Sequence, residues 1–95
     1  MYVLSAKLTF YLAGADSLKD KRQIRRSLIE KIQQRYNMSV SEVEAQDVHQ
    51  TLVIGVAIVS GDLTHAQNSL DNMIRFIEGN YLQVELISVE KGDEP

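Results

Sequence analysis

The chain has no cysteine, no tryptophan, and one proline, which is its last residue, Pro95. Without thiols there is neither a disulfide framework nor a thiolate metal site. Long hydrophobic runs are also missing. The longest strongly apolar stretch, TLVIGVAIV, falls well short of the roughly 20 residues a membrane-spanning helix needs. The opening MYVLSAKLTFYLAGA alternates instead of running solidly apolar and carries one late lysine, so no signal peptide is expected and a cytoplasmic address is. No Walker A loop and no Gly-x-Gly-x-x-Gly turn is present, so the common phosphate-cradling motifs are excluded and no cofactor is expected.

Catalytic and metal-binding sets are equally scarce. His49 and His65 are the two histidines. His49 stands near Glu44 and Asp47, but a metal wants three or more converging ligands, and no such set can be counted. The serines lie in no Gly-x-Ser-x-Gly elbow, and Glu42, Glu44 and Asp47 read as local charge on an edge strand, not as a tuned acid–base pair. No catalytic residue is expected, and the protein reads as a non-enzyme.

What is present is a 95-residue chain of ordinary globular composition, 44% hydrophobic and 24% charged. That length predicts one domain, spanning 1–90, with KGDEP (91–95) as a flexible tail. Residues 2–12 alternate. Tyr2, Leu4, Ala6, Leu8, Phe10 and Leu12 share one face of a strand. Ser17 is a plausible N-cap for a helix reaching about Tyr36, with Ile24, Leu28, Ile29, Ile32 and Tyr36 on one stripe. MSVSEVEA predicts a short polar edge strand. TLVIGVAIVS is apolar on both parities, as a central strand should be. A second helix starts at Ser60 or Asp62, buries Leu63, Ala66, Leu70, Met73, Ile74 and Ile77, and stops at Glu78-Gly79-Asn80. YLQVELISVE is a last strand. The order β-α-β-β-α-β predicts an α+β ferredoxin-like sandwich, a four-stranded antiparallel sheet with two helices on one face.

Charge is unevenly placed. From Asp16 to Tyr36, seven basic residues face three acids, a local +4, whereas the remainder holds three against ten, a −7. Lys19, Lys21, Arg22, Arg25 and Arg26 crowd the start of the first helix, where the macrodipole disfavours cations. Lys21 and Arg25 align with Leu28 and Ile32, so either the helix overhangs the sheet or their stems snorkel across Leu18. With Ser17 and the backbone from Ala15 to Leu18 they form a candidate phosphate cradle. The alternatives are a solvated helix face, its cations paired with acids on strand edges, and docking onto the acidic remainder of another copy.

The chain resembles the YlxP-like family of small bacterial proteins of unknown function. The matching pieces are SLKDKR after the first strand, RYNMSVSEV from Arg35 to Val43, QDVHQTLVIGVAIVS from Gln46 to Ser60, and FIEGN from Phe76 to Asn80. The resemblance implies a ferredoxin-like fold and no established activity. Members' genes often lie among genes for translation initiation and ribosome maturation, which implies an RNA-linked role.

Two partner surfaces are therefore expected. The first is RNA or the ribosome, gripped by phosphate through the basic helix, with no DNA sequence readout. Base stacking on the sheet, as in an RRM, is excluded because the third strand has no aromatic and the first offers Tyr11 alone on its open face. The second is another copy of the chain, through an open sheet face presenting Val3, Tyr11, Val53, Ala57, Val59 and Ile87, with Thr9 and Val89 beside them. Ser5, Lys7, Gln83 and Glu85 would dilute that face if the protein were a monomer. Phe76 is expected to fill the groove between the helices.

Overall fold

The structure is a computed structural model and describes residues 1–92. Its elements are β1 (Tyr2–Leu12), α1 (Leu18–Arg35), β2 (Ser39–Glu44), β3 (Thr51–Ser60), α2 (Leu63–Asn80) and β4 (Val84–Lys91). The four strands form one antiparallel sheet in the order β2-β3-β1-β4. This is the ferredoxin-like arrangement, with the two most apolar strands in the middle. The even-numbered residues of β1 pack with Leu52, Ile54, Val56 and Ile58 of β3 against Leu28 and Ile32 of α1 and Ala66, Leu70, Met73 and Ile77 of α2. Both helices thus cover one face of the sheet, and the other face is open.

Local chemistry sets the boundaries. The Ser17 hydroxyl accepts from the Asp20 N–H at 3.1 Å and caps α1, while Asp62 caps α2 by accepting from the His65 N–H at 3.1 Å. Ser60 belongs to the same turn, its hydroxyl accepting from the Asp62 N–H at 3.0 Å. The second helix does not stop at Gly79. It continues through Asn80 to an extended Tyr81, and the Asn80 side chain donates to the Phe76 carbonyl at 2.8 Å. No glycine takes a left-handed conformation, so the end of α2 is held by a side-chain amide instead of a glycine turn. At the C-terminus, β4 includes Lys91, and Gly92 donates its N–H to the Ser5 carbonyl at 2.8 Å. The expected tail therefore contributes two ordered residues, and its remainder, 93–95, lies outside the described residues.

Two bulges redirect side chains. On β4 the register slips between Thr9 and Phe10, leaving Ile87 as the extra residue. Leu86 and Val89 both pack on the core as a result, so Val89 faces the helices and not the open side. On β2 the slip falls at Val43: Glu42 pairs with Ile54 on the helix-covered face, whereas Glu44 pairs with Val53 on the open face. A shift of one residue swaps faces. Those two neighbouring carboxylates end up on opposite sides of the sheet.

Candidate functional site

Glu42 points inward beneath the start of α1, and its carboxylate, 8% exposed, meets two of the five cations. Lys21 Nζ lies 2.8 Å from Oε2, and Arg25 Nη1 donates to Oε1 at 2.8 Å. The Lys21 ammonium also donates to the carbonyls of Ala45 at 2.6 Å and Val48 at 2.8 Å. Lys21 is 1% exposed, the only buried polar or charged residue among those described. Its aliphatic stem continues the apolar stripe of α1, and its charge is consumed by one carboxylate and two loop carbonyls. Burial pushes the Glu42 carboxyl up, but Lys21 and Arg25 outweigh it and hold the group below its ordinary value.

This corrects the sequence-based cradle. Lys21 is not outward-facing, because an inward acid on β2 gives it a partner, and Arg25 is half committed to the same acid. The helix start is also partly filled from within. The Asp20 carboxylate accepts from the Asp16 N–H at 3.1 Å, and the Ala15 N–H donates to the Leu12 carbonyl at 3.3 Å. Asp20 thus occupies ground where an external anion would sit. Ser17 serves as the cap. The remaining three, Lys19, Arg22 and Arg26, are exposed and have no ion-pair partner among the described residues. Their spacing places them within about 60° of one another on the helix surface.

Sequence reasoning named Glu42 as charge on an edge strand and allowed α1 cations to pair with edge-strand acids, which is the outcome for Lys21 and Arg25. It did not single out Glu42, although SVSEVE holds its signal. With Val40 facing the core, period two puts Glu42 on the same side. What the pattern lacked was the phase.

Further along α1, Lys31 and Arg35 are exposed and turn towards α2. The Arg35 guanidinium sits over the Phe76 ring, 4.1 Å from its centroid, and Phe76 meets Tyr36 and Tyr81 edge-on at 6.3 and 6.4 Å. The Tyr36 hydroxyl donates to the Asn72 carbonyl at 3.2 Å. Phe76 therefore packs between the helices, and beside it lies a groove of about 510 Å3.

On the open face, Lys7 donates to Glu44 at 2.8 Å and lies 3.2 Å from Glu90. The contacts with Glu44 and then Glu90 raise its pKa above the ordinary lysine value. The Lys7–Glu44 bridge runs from β1 to β2 and so crosses β3, between the Gly55 and Val53 positions by register. Val53 is only 4% exposed, since the β2 bulge and this bridge crowd the space above it. It is thereby removed from the expected contact surface, and Ala57 is half-buried. Val3, Tyr11, Val59 and Ile87 remain exposed, joined by Val43, whose side chain lies against Gly55. A shallow depression of about 520 Å3 lies among Ser5, Lys7, Ser39, Ser41, Gly55 and Glu90. His49 and His65 are both exposed, and among the described residues no three acids or histidines converge. No helix among them is long and apolar enough to cross a membrane.

Fold and surface together define a small ferredoxin-like α+β sandwich with an exposed basic helix and a bare sheet face. The chain belongs to the family described as protein of unknown function (DUF503), whose model matches residues 3–91. It is 33% identical over 64 residues to the uncharacterised protein YlxP of Bacillus subtilis strain 168, covering 67% of this chain and 70% of that protein. Among solved structures it is similar to a de novo designed protein with a ferredoxin fold, determined by solution NMR. That match has a TM-score of 0.56 and 13% identity, and covers 97% of this chain and 84% of the other. It supports the fold alone.

Proposed function

We propose that the protein is a non-enzymatic RNA- or ribosome-associated module that grips phosphates with the outer face of α1. One observation carries this. That helix exposes Lys19, Arg22 and Arg26 together on one flank, and Lys31 and Arg35 on the flank towards α2, with no carboxylate partner among the described residues, and Glu30 is the one exposed acid on the same helix. In a chain of net charge −3 such a concentration is local, and suits a polyanion approaching from one side. The test is fluorescence anisotropy with a labelled twelve-nucleotide oligouridine over a range of salt. Three phosphate contacts alone give a log–log slope of about −2. The triple substitution Lys19→Gln, Arg22→Gln, Arg26→Gln is expected to weaken binding at least tenfold and to flatten that slope. Unchanged affinity rejects the reading.

A second reading is favoured by a different surface. Val3 and Val59 are register partners, and with Tyr11 and Ile87 they leave apolar area bare on the open face. On this reading two copies pair through that face. Sedimentation velocity at micromolar concentration decides it: a lone 10.7 kDa species contradicts pairing.

A further inference from the structure

We infer that the groove between the helices is the base-reading end of the α1 surface, and that Arg35 is its stacking platform for a single-stranded nucleobase. The inference rests on the phosphate-binding reading above and extends it from charge to chemistry. Besides the cluster of Lys19, Arg22 and Arg26 on one flank, α1 carries Lys31 and Arg35 on the flank that faces α2, and this second pair lies against an aromatic cluster. Phe76, in edge-on contact with Tyr81, lies under the Arg35 guanidinium, whose central carbon is 4.1 Å from the ring centroid. The ring thus covers part of the guanidinium, and the rest of this exposed residue is open to a base. Guanidinium planes stack on bases as aromatic rings do, and the positive charge adds attraction to the π-face. Lys31 and Gln34 line the groove beside it. Lys31 supplies a phosphate contact, and Gln34 can both donate to and accept from a base edge. Asn80, one of whose two amide N–H groups donates to the Phe76 carbonyl, keeps its oxygen for a base donor.

A single strand fits this layout better than a duplex, because stacked and paired bases cannot reach a plate set in a groove. The mode also differs from sheet-platform recognition, which this sheet cannot support with Tyr11 as its one open-face aromatic on β1 and β3.

The experiment compares two labelled probes of equal phosphate number: the twelve-nucleotide oligouridine and an abasic twelve-mer of the same backbone. Wild-type protein is expected to bind the oligouridine about tenfold tighter than the abasic strand, the lower range for one stacked base. Its slope is expected near −2.8, because Lys31 adds a fourth phosphate contact to the three of Lys19, Arg22 and Arg26. Arg35→Lys, which keeps the charge and loses the plane, is expected to abolish the preference while holding the slope and the melting temperature. Phe76→Leu should reproduce the lost preference by removing the support, with circular dichroism verifying the fold. Equal affinity for both probes, or a wild-type preference in Arg35→Lys, overturns the inference and leaves phosphate binding standing. Failure to bind either probe overturns both.

Discussion

Lys21 carries a large stability consequence for a single charged residue. A buried ammonium without a counter-charge is costly, and the ionised Glu42 carboxylate supplies that counter-charge to Lys21. Glu42→Gln leaves that charge with two carbonyl acceptors and no counter-charge, and is expected to cost about 3–5 kcal/mol in urea unfolding. The double variant Lys21→Met, Glu42→Leu removes both charges and should recover much of the loss, because an apolar pair of similar volume is often neutral. A double-mutant cycle without coupling counts against the pair. Acid sensitivity follows from the same group. Its folded-state pKa is depressed below the ordinary 4.5. As pH falls below that value the unfolded chain takes up the proton first, and stability is lost progressively down through the folded pKa. Above pH 4.5 the contribution is fully present. Glu42→Gln is expected to flatten stability against pH in that acid window, measured by thermal melts between pH 2.5 and 6. Ala45, whose carbonyl the ammonium holds, sits at φ 56° and is the one described non-glycine residue with positive φ. Ala45→Gly should relieve that strain, partly offset by a looser unfolded chain, for a gain of about 0.5–1 kcal/mol.

At the scale of elements, α1 shows how one helix can serve two masters. Its inner stripe, Lys21, Leu28 and Ile32, belongs to the core, and its outer face holds the unpaired cations. The cations at its start oppose the macrodipole, so the capping contacts of Ser17 and the Asp20 carboxylate matter more than usual. Ser17→Ala is expected to cost about 1 kcal/mol. For a domain of this size that is a fall of roughly 4–8 °C in Tm, readable by calorimetry. Sequence periodicity located all six elements, since alternation and helical stripes are written into side-chain type. It missed the bulges at Val43 and Ile87 because an extra residue leaves composition unchanged and only shifts phase. Those two shifts decide that Glu42 faces in, Glu44 faces out, and Val89 joins the core.

For the molecule as a whole, the two candidate surfaces lie on opposite sides: α1 covers one face of the sheet, and Val3, Val59, Tyr11 and Ile87 occupy the other. Changes to one should leave the other untouched, as expected for sites without shared partners. Val59→Lys, at a position 61% exposed, is expected to reduce any self-association in sedimentation while leaving oligouridine affinity unchanged. A parallel loss of both would mean that the surfaces act together.

Composition and periodicity by themselves determined the element order, the ferredoxin-like topology, the concentration of basic charge on one helix and the lack of common catalytic motifs. All of these depend on residue type and spacing along the chain. Tertiary structure alone decided which charges remain available. Whether a cation is spent or free depends on what a distant strand places opposite it, here an acid 21 residues from Lys21 and 17 from Arg25. Charge is a property of the residue, but its neutralisation is a property of the register.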